Sequence, residues 1–143
     1  MAALKPCRVT FAHAFRSEGG ELLMDTDEIV AAYGAAWNET DEAKRTALLE
    51  KSWSDDGIYN DPTATAYGRE ALIAHIGGFH AAIPGHTIDL ISGVDTYNGV
   101  FRFAWVMRKG DDIATEGVDF GELAPDGRIQ RIVGFFGPFP ALP

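Results

Sequence analysis

The sequence predicts an α+β fold in which a curved antiparallel sheet wraps around three N-terminal helices and encloses a pocket. Two observations support this prediction. Apolar residues recur at helical spacing only in residues 25–83, and β-branched and aromatic residues dominate residues 87–136. The length of 143 residues corresponds to one domain. Helices followed by strands in a single domain give helices that cover one face of an antiparallel sheet.

The first helix is expected to begin at Asp25 or Thr26, because both residue types cap helices well and acidic residues follow. Ile29, Tyr33 and Trp37 then recur every four residues. This spacing places the three side chains on one face of the helix.

Two further helices are expected before the strands. The second carries apolar residues at 43, 47 and 48 and ends near Ser52, before a turn at residues 54–57. Residues 57–60 are expected to be extended. The third helix opens at residues 68–70 and stops at residues 84–85, where Pro-Gly cannot continue it.

Four strands are expected at residues 87–94, 100–109, 113–123 and 129–136, because these segments are rich in β-branched and aromatic side chains. Turn residues at 98–99, 110–112 and 125–127 separate them. The last three strands are predicted to form a meander of hairpins.

The charge balance excludes several classes of partner. The formal charge is -9, which is the wrong sign for binding phosphate backbones or anionic lipid, so we expect no nucleic acid and no membrane as partner. No apolar run approaches the ~20 residues of a membrane span. The single cysteine, Cys7, permits no internal disulfide, and a cytoplasmic location is the default expectation.

Residues 1–23 differ in charge from the remainder of the chain. They hold +1, whereas residues 24–143 hold -10. One hypothesis is that translation starts at Met24 and that residues 1–23 are a non-native or flexible extension of a single domain at 24–143. The alternative is an ordinary N-terminal strand or arm.

The familiar cofactor and metal motifs are missing from the sequence. Gly77-Gly78 has neither the lysine nor the spacing of a phosphate-binding loop. His75 and His80 are five residues apart, about 140° around a helix at ~100° per residue, so they cannot share a metal ion as a pair four residues apart can. We expect one of them to be exposed and the other packed. We therefore expect no cofactor and no metal.

Two aspartates and one tyrosine are candidates for chemistry. Asp119 lies in the middle of a predicted strand, where a carboxyl that faces an apolar interior must be paired, neutralised or placed in a pocket. A solvated aspartate at the edge of the sheet is the alternative. Asp61 precedes Pro62 and could simply start a turn, and Tyr33 could simply pack beside Trp37.

Several short motifs together resemble one superfamily. They are Tyr33, Trp53-Ser54-Asp55-Asp56, Tyr59-Asn60-Asp61-Pro62, Gly68-Arg69-Glu70 and Gly127-Arg128-Ile129. This set is similar to the cone-shaped nuclear-transport-factor-two-like, or cystatin-like, superfamily, in its SnoaL-like and ketosteroid-isomerase-like branch. The resemblance covers about residues 26–137.

The resemblance implies an isomerase site that needs no cofactor. Asp61 would be the base, and Tyr33 and a protonated Asp119 would donate hydrogen bonds to the enolate oxygen, as in the ketosteroid isomerases, which are the standard example of such a neutral acid. The residues expected to surround Asp119 and to form the apolar pocket wall are Trp37, Phe79, Phe101, Phe103, Trp105, Met107 and Phe136.

The activity implied is allylic isomerisation of a hydrophobic, ring-containing ketone that resembles a steroid, terpenoid or polyketide. A SnoaL-like polyketide cyclase, in which the same enolate closes a ring, stays open as an alternative. So does a non-catalytic module that binds a hydrophobic ligand or dimerises. The resemblance also implies a homodimer through the sheet, with Val100, Ala104 and Val106 on the face opposite Trp105.

Overall fold

The computed structural model describes residues 24–143. The N-terminal extension predicted at residues 1–23, with Cys7, lies outside the described residues. The hypothesis about its origin therefore stays a prediction.

Three helices precede most of the sheet, as predicted. They are α1 (Thr26–Asn38), α2 (Glu42–Ser52) and α3 (Arg69–Ala82). The Asp25 side chain caps α1 by accepting a hydrogen bond from the Glu28 N–H at 2.8 Å, and Asp41 caps α2 in the same way. The apolar face of α1 is buried at Ile29, Tyr33 and Trp37, so the spacing of four residues identified the buried face correctly.

Seven strands form one curved sheet. They are β1 (Trp53–Asn60), β2 (Thr65–Tyr67), β3 (His86–Leu90), β4 (Asp95–Tyr97), β5 (Val100–Lys109), β6 (Asp112–Leu123) and β7 (Ile129–Phe136). The order is β2-β1-β7-β6-β5-β3, and β4 pairs with β5. The meander of β5, β6 and β7 is confirmed.

The prediction of a purely antiparallel sheet needs one correction. β1 pairs with β7 in parallel, so the sheet is mixed, although every other pair is antiparallel. The parallel pair arises because β1 comes before the helix α3 in the chain and joins the sheet beside its last strand. Local sequence patterns cannot reveal this pairing, because β1 and β7 lie about 70 residues apart in the chain.

The predicted turn at residues 54–57 is wrong, because these residues belong to β1. The register with β7 shifts between Trp53 and Ile58, which marks a bulge rather than a turn. A side chain at Gly57 would collide with the Trp53 indole, so the glycine allows close packing here. The Arg69 guanidinium donates to the Trp53 carbonyl at 2.6 Å and pairs with Asp55, which holds the bulge against the start of α3.

The core lies between the helices and the inner face of the sheet. On β5, Phe101, Phe103 and Trp105 point inward and are buried among residues of α1, α2 and α3. Fully buried side chains from both layers meet there, among them Leu49, Trp53, Leu72, Ile76, Ile129 and Ile132. None of the helices within residues 24–143 is long and apolar enough to cross a membrane.

Candidate active site

A cavity of about 460 Å³ opens between the helices and the inner face of the sheet. Every predicted site residue except Phe101 lines it. Phe101 is instead buried beyond the cavity wall, stacked on Phe103 and packed against the backbone of Gly121. The lining residues are Tyr33, Gly34, Trp37, Tyr59, Asp61, Thr63, His75, Gly78, Phe79, Ala82, Ile83, Ile88, Leu90, Phe103, Trp105, Met107, Asp119 and Phe136.

Asp119 is buried in the middle of the sheet, on the strand β6. Its pair partners are Phe103 on β5 and Gly134 on β7. The Trp105 indole N–H donates a hydrogen bond of 2.9 Å to Asp119 Oδ1. Burial raises the pKa of Asp119 to about 6; the Trp105 hydrogen bond opposes this rise and the charge on Asp61 adds to it.

Tyr33 reaches the cavity from α1 and is also buried, stacked on Trp53 at a centroid distance of 5.6 Å and edge-on to Phe103. Within the described part of the chain, its hydroxyl has no hydrogen-bond partner. Burial, followed by the charge on Asp119, raises the pKa of Tyr33 well above its ordinary value. The hydroxyl is therefore neutral, and no group in residues 24–143 accepts its proton in a hydrogen bond.

Asp61 lies in the turn after β1 and is surrounded by donors. Its Oδ1 accepts hydrogen bonds from the Thr63 N–H and hydroxyl, both at 2.7 Å, and from the Ala64 N–H at 2.9 Å. The Tyr59 hydroxyl donates to Oδ2 at 2.7 Å. Burial alone would raise the pKa of Asp61, but the hydrogen bonds from Thr63, Tyr59 and Ala64 outweigh it and lower the pKa.

Gly134 on β7 lies between the two carboxyl groups. A Cβ at this position would stand 2.8 Å from Asp119 Oδ1 and 3.7 Å from the Asp61 Cβ. The absence of a side chain therefore lets both aspartates face the same cavity. Neither aspartate forms an ion pair within residues 24–143, and Arg102 pairs with Asp95 on the other face of the sheet.

Besides small and apolar lining residues, the sequence analysis missed three polar residues of the cavity wall, Tyr59, Thr63 and His75. It also missed Gly134, which lies between the two carboxyl groups. Tyr59 had a visible signal, because residues two apart on an extended strand share a face and Tyr59 precedes Asp61 by two. Thr63 belongs to the turn that Asp61 starts, and its contact with the carboxylate is typical of aspartate turns. His75 and Gly134 had no local signal.

The residues that the structure describes, 24–143, contain no group of three His, Cys, Asp or Glu side chains placed to hold a metal ion. The polar groups of the cavity are hydroxyls, an indole N–H, backbone N–H groups, two carboxylates and the His75 imidazole. This set can hold an oxygen of a ligand and can exchange protons with it.

A model of the SnoaL-like domain matches residues 30–132. That range includes Tyr33, Asp61 and Asp119. A search of curated proteins found no match.

Many solved structures share the fold. A protein from Agrobacterium tumefaciens strain C58, named a "putative isomerase of the SnoaL-like family", is 31% identical, with a TM-score of 0.75, and the match covers 80% of this chain and 100% of that one. A nuclear-transport-factor-two-like protein of unknown function from Cytophaga hutchinsonii is 12% identical over 80% and 92% of the two chains, with a TM-score of 0.61. A "putative polyketide cyclase" from Sinorhizobium meliloti is 15% identical over 78% and 99%, with a TM-score of 0.60.

Proposed function

Because the chain belongs to the SnoaL-like domain family, we propose that its pocket isomerises a hydrophobic, ring-containing ketone by moving a proton. The proton leaves the carbon next to the carbonyl group and returns at a second carbon, so that a double bond changes position. One observation carries the proposal. The unpartnered Tyr33 hydroxyl and the two aspartates, whose pKa values move in opposite directions, meet in one apolar cavity.

Asp61 is the base in this proposal. Its lowered pKa keeps it ionised at neutral pH, and the turn from Asp61 to Ala64 holds the carboxylate in one orientation. A fixed, ionised carboxylate beside an acidic C–H group can accept the proton and return it at another carbon.

Tyr33 and Asp119 stabilise the negative oxygen that forms when the proton leaves. Both side chains are buried, so their hydrogen bonds act in a medium of low dielectric constant. With a pKa of about 6, Asp119 gains its proton more readily than an ordinary aspartate. A ligand that brings negative charge beside Asp119 and displaces water raises this pKa further, which favours the protonated, donating form.

The cavity wall indicates the class of substrate. Apolar and aromatic side chains, among them Trp37, Phe79, Phe103, Met107 and Phe136, line the cavity beyond the polar groups. A volume of about 460 Å³ is in the lower part of the range of small-molecule sites. It suits a compact ring system. The cyclase alternative shares the first proton abstraction and needs room for a folded chain.

Binding of 2-naphthol, a planar phenol that mimics a dienolate, tests the proposal. Its fluorescence reports its ionisation, and we expect it to bind the intact protein. Tyr33→Phe and Asp119→Leu should each weaken binding by about tenfold, because each removes a hydrogen bond to a charged oxygen. Tyr97→Phe, on the exposed strand β4, is the matched control and should bind as the intact protein does.

The same titration gives a pH dependence with a definite sign. Asp119 donates only when it is protonated, so affinity for the naphtholate should fall as pH rises through about 6. Binding that is indifferent to Tyr33→Phe and Asp119→Leu would contradict the proposal and favour a module that only binds apolar ligands.

We also propose that a second copy of this chain covers the outer face of the sheet. Phe120 and Phe135 stand there 44% and 61% exposed and contact each other edge to face. Val100 and Ala104 share that face, whereas Val106 is already buried within the single chain. Exposed apolar side chains that are adjacent on one face are typical of a protein interface.

Sedimentation equilibrium tests the second copy. The intact chain should be a dimer at micromolar concentration, and Phe135→Glu should be a monomer that still binds 2-naphthol. A monomeric intact chain would contradict the dimer.

A further inference from the structure

The cavity wall contains one polar side chain that the proposed proton transfer does not use. His75 lies on α3 and lines the cavity. Its ring is edge-on to Trp37 at a centroid distance of 5.8 Å and lies at 5.4 Å from the ring of Tyr59. Contacts with two aromatic rings therefore hold the imidazole in the wall.

The nitrogens of His75 differ from those of the other histidines in the described chain. His80 Nε2 lies 2.8 Å from the Trp37 carbonyl, and His86 Nδ1 lies 3.0 Å from the Ile83 carbonyl. Neither nitrogen of His75 makes a hydrogen bond within residues 24–143. A neutral imidazole offers one donor and one acceptor, and no residue from 24 to 143 uses either of those of His75.

His75 and Tyr33 belong to different aromatic groups of the wall. Tyr33 packs against Trp53 and Phe103, whereas His75 packs against Trp37 and Tyr59. The Tyr59 hydroxyl in turn binds Asp61. A ring system whose carbonyl oxygen meets Tyr33 and Asp119 therefore has a separate polar contact on the α3 wall.

We infer that His75 binds a second oxygen substituent of the ligand. The substrate class is then a ring ketone that also carries a hydroxyl or a second carbonyl group, distant from the one that reacts. This inference rests on the proposed function, because it takes the orientation of the ligand from Tyr33 and Asp119. It makes His75 a specificity residue rather than a proton carrier.

Paired ligands test the inference. Binding of 2-naphthol is compared with binding of the dihydroxynaphthalenes that keep the 2-hydroxyl and carry the second one on the other ring. At least one of these isomers should bind the intact protein about fivefold more tightly than 2-naphthol, the gain expected from one hydrogen bond. His75→Phe keeps the aromatic contacts and should abolish that gain while 2-naphthol binding stays within about twofold.

His86→Gln is the matched control, because His86 lies outside the cavity wall, and it should keep the gain. The inference is overturned if no isomer binds more tightly than 2-naphthol, or if His75→Phe weakens both ligands equally. In both cases Tyr33→Phe should still weaken 2-naphthol binding. These results therefore differ from those expected if the proposed function is wrong. Loss of that Tyr33 dependence would contradict both proposals.

Discussion

Two aspartates face one cavity in opposite settings. Asp61 lies in a turn at the end of β1, where four hydrogen bonds from Thr63, Ala64 and Tyr59 reach its carboxylate. Asp119 lies in the middle of the sheet, where it is 6% exposed and accepts one hydrogen bond, from Trp105. The pKa of Asp61 is lowered, and burial raises that of Asp119 to about 6.

One side chain can therefore have two different pKa values in the same cavity. Asp119 is more deeply buried than Asp61 and accepts one hydrogen bond instead of four, so burial and the number of donors together move the two pKa values apart. The turn supplies donors from its own backbone, whereas the ladder of a central strand uses its backbone groups for sheet pairing. The local backbone thus contributes to the difference between the two pKa values.

The largest effect is expected at the base. Asp61→Asn keeps the size of the side chain and removes its ability to accept a proton, so proton abstraction should slow by about 10²- to 10⁴-fold. Exchange of the α-protons of 2-tetralone in D₂O, followed by NMR, measures this rate. Asp111→Asn, in the turn between β5 and β6, should exchange at the rate of the intact protein. An Asp61→Asn variant as fast as the intact protein would remove Asp61 from the mechanism.

The next effect is expected in stability at Asp119. Because its pKa is raised in the folded state, the folded protein loses free energy of unfolding as pH rises from about 4 to above 6. A rise from 3.8 to about 6 corresponds to about 3 kcal/mol. Asp119→Asn stays neutral, so its unfolding free energy relative to the intact chain should increase by about this amount between pH 4 and pH 8. Urea unfolding at both pH values measures it, and a difference independent of pH would contradict the burial argument.

A smaller effect is expected at the glycine between the two aspartates. Gly134→Ala places a methyl group 2.8 Å from Asp119 Oδ1. The Asp119 side chain or the strand β7 must then move, so we expect a loss of about 1 to 3 kcal/mol in unfolding free energy and weaker 2-naphthol binding. Gly93→Ala, where an added Cβ meets nothing within 4 Å, should change stability by less than about 0.5 kcal/mol. Equal effects of the two substitutions would show that the carboxyl groups do not need the space left by the missing side chain of Gly134.

The smallest effect is expected at Tyr59. Tyr59→Phe removes one of the hydrogen bonds to Asp61 and leaves those from Thr63 and Ala64. The pKa of Asp61 should rise, so the acid limb of the 2-tetralone exchange profile should move to higher pH, by less than one pH unit. An acid limb that stays in place would show that the turn alone sets the charge of Asp61.

Much of the fold followed from local patterns. The buried face of α1 follows from side-chain spacing. The bounds of β5 and β7 follow from β-branched and aromatic composition between turn residues. The strands β2 and β4 are three residues long, too short for alternation to show. Residues 54–57 at the start of β1 have the composition of a turn. They are extended because β1 pairs with β7 and Arg69 binds Asp55, contacts that the local sequence does not show.

Residues of the cavity were predicted correctly where strand alternation or the family resemblance indicated them. Phe103 and Trp105 share a face of β5, which placed Asp119 among aromatic side chains on the next strand. Phe101 follows the same alternation and is buried, but it does not line the cavity. The sequence of one strand cannot show where along that strand the cavity ends. His75 and Gly134 enter the site only through tertiary contacts.

The most direct test of the difference between the two aspartates is a carbon-13 NMR titration of the aspartate carboxyl groups, with Asp61→Asn and Asp119→Asn to assign the two signals. The account predicts that Asp61 titrates below 3.8 and that Asp119 titrates near 6 in the protein without ligand. Two signals that both titrate close to 3.8 would contradict it, because the cavity would then hold two equivalent carboxylates and no acid.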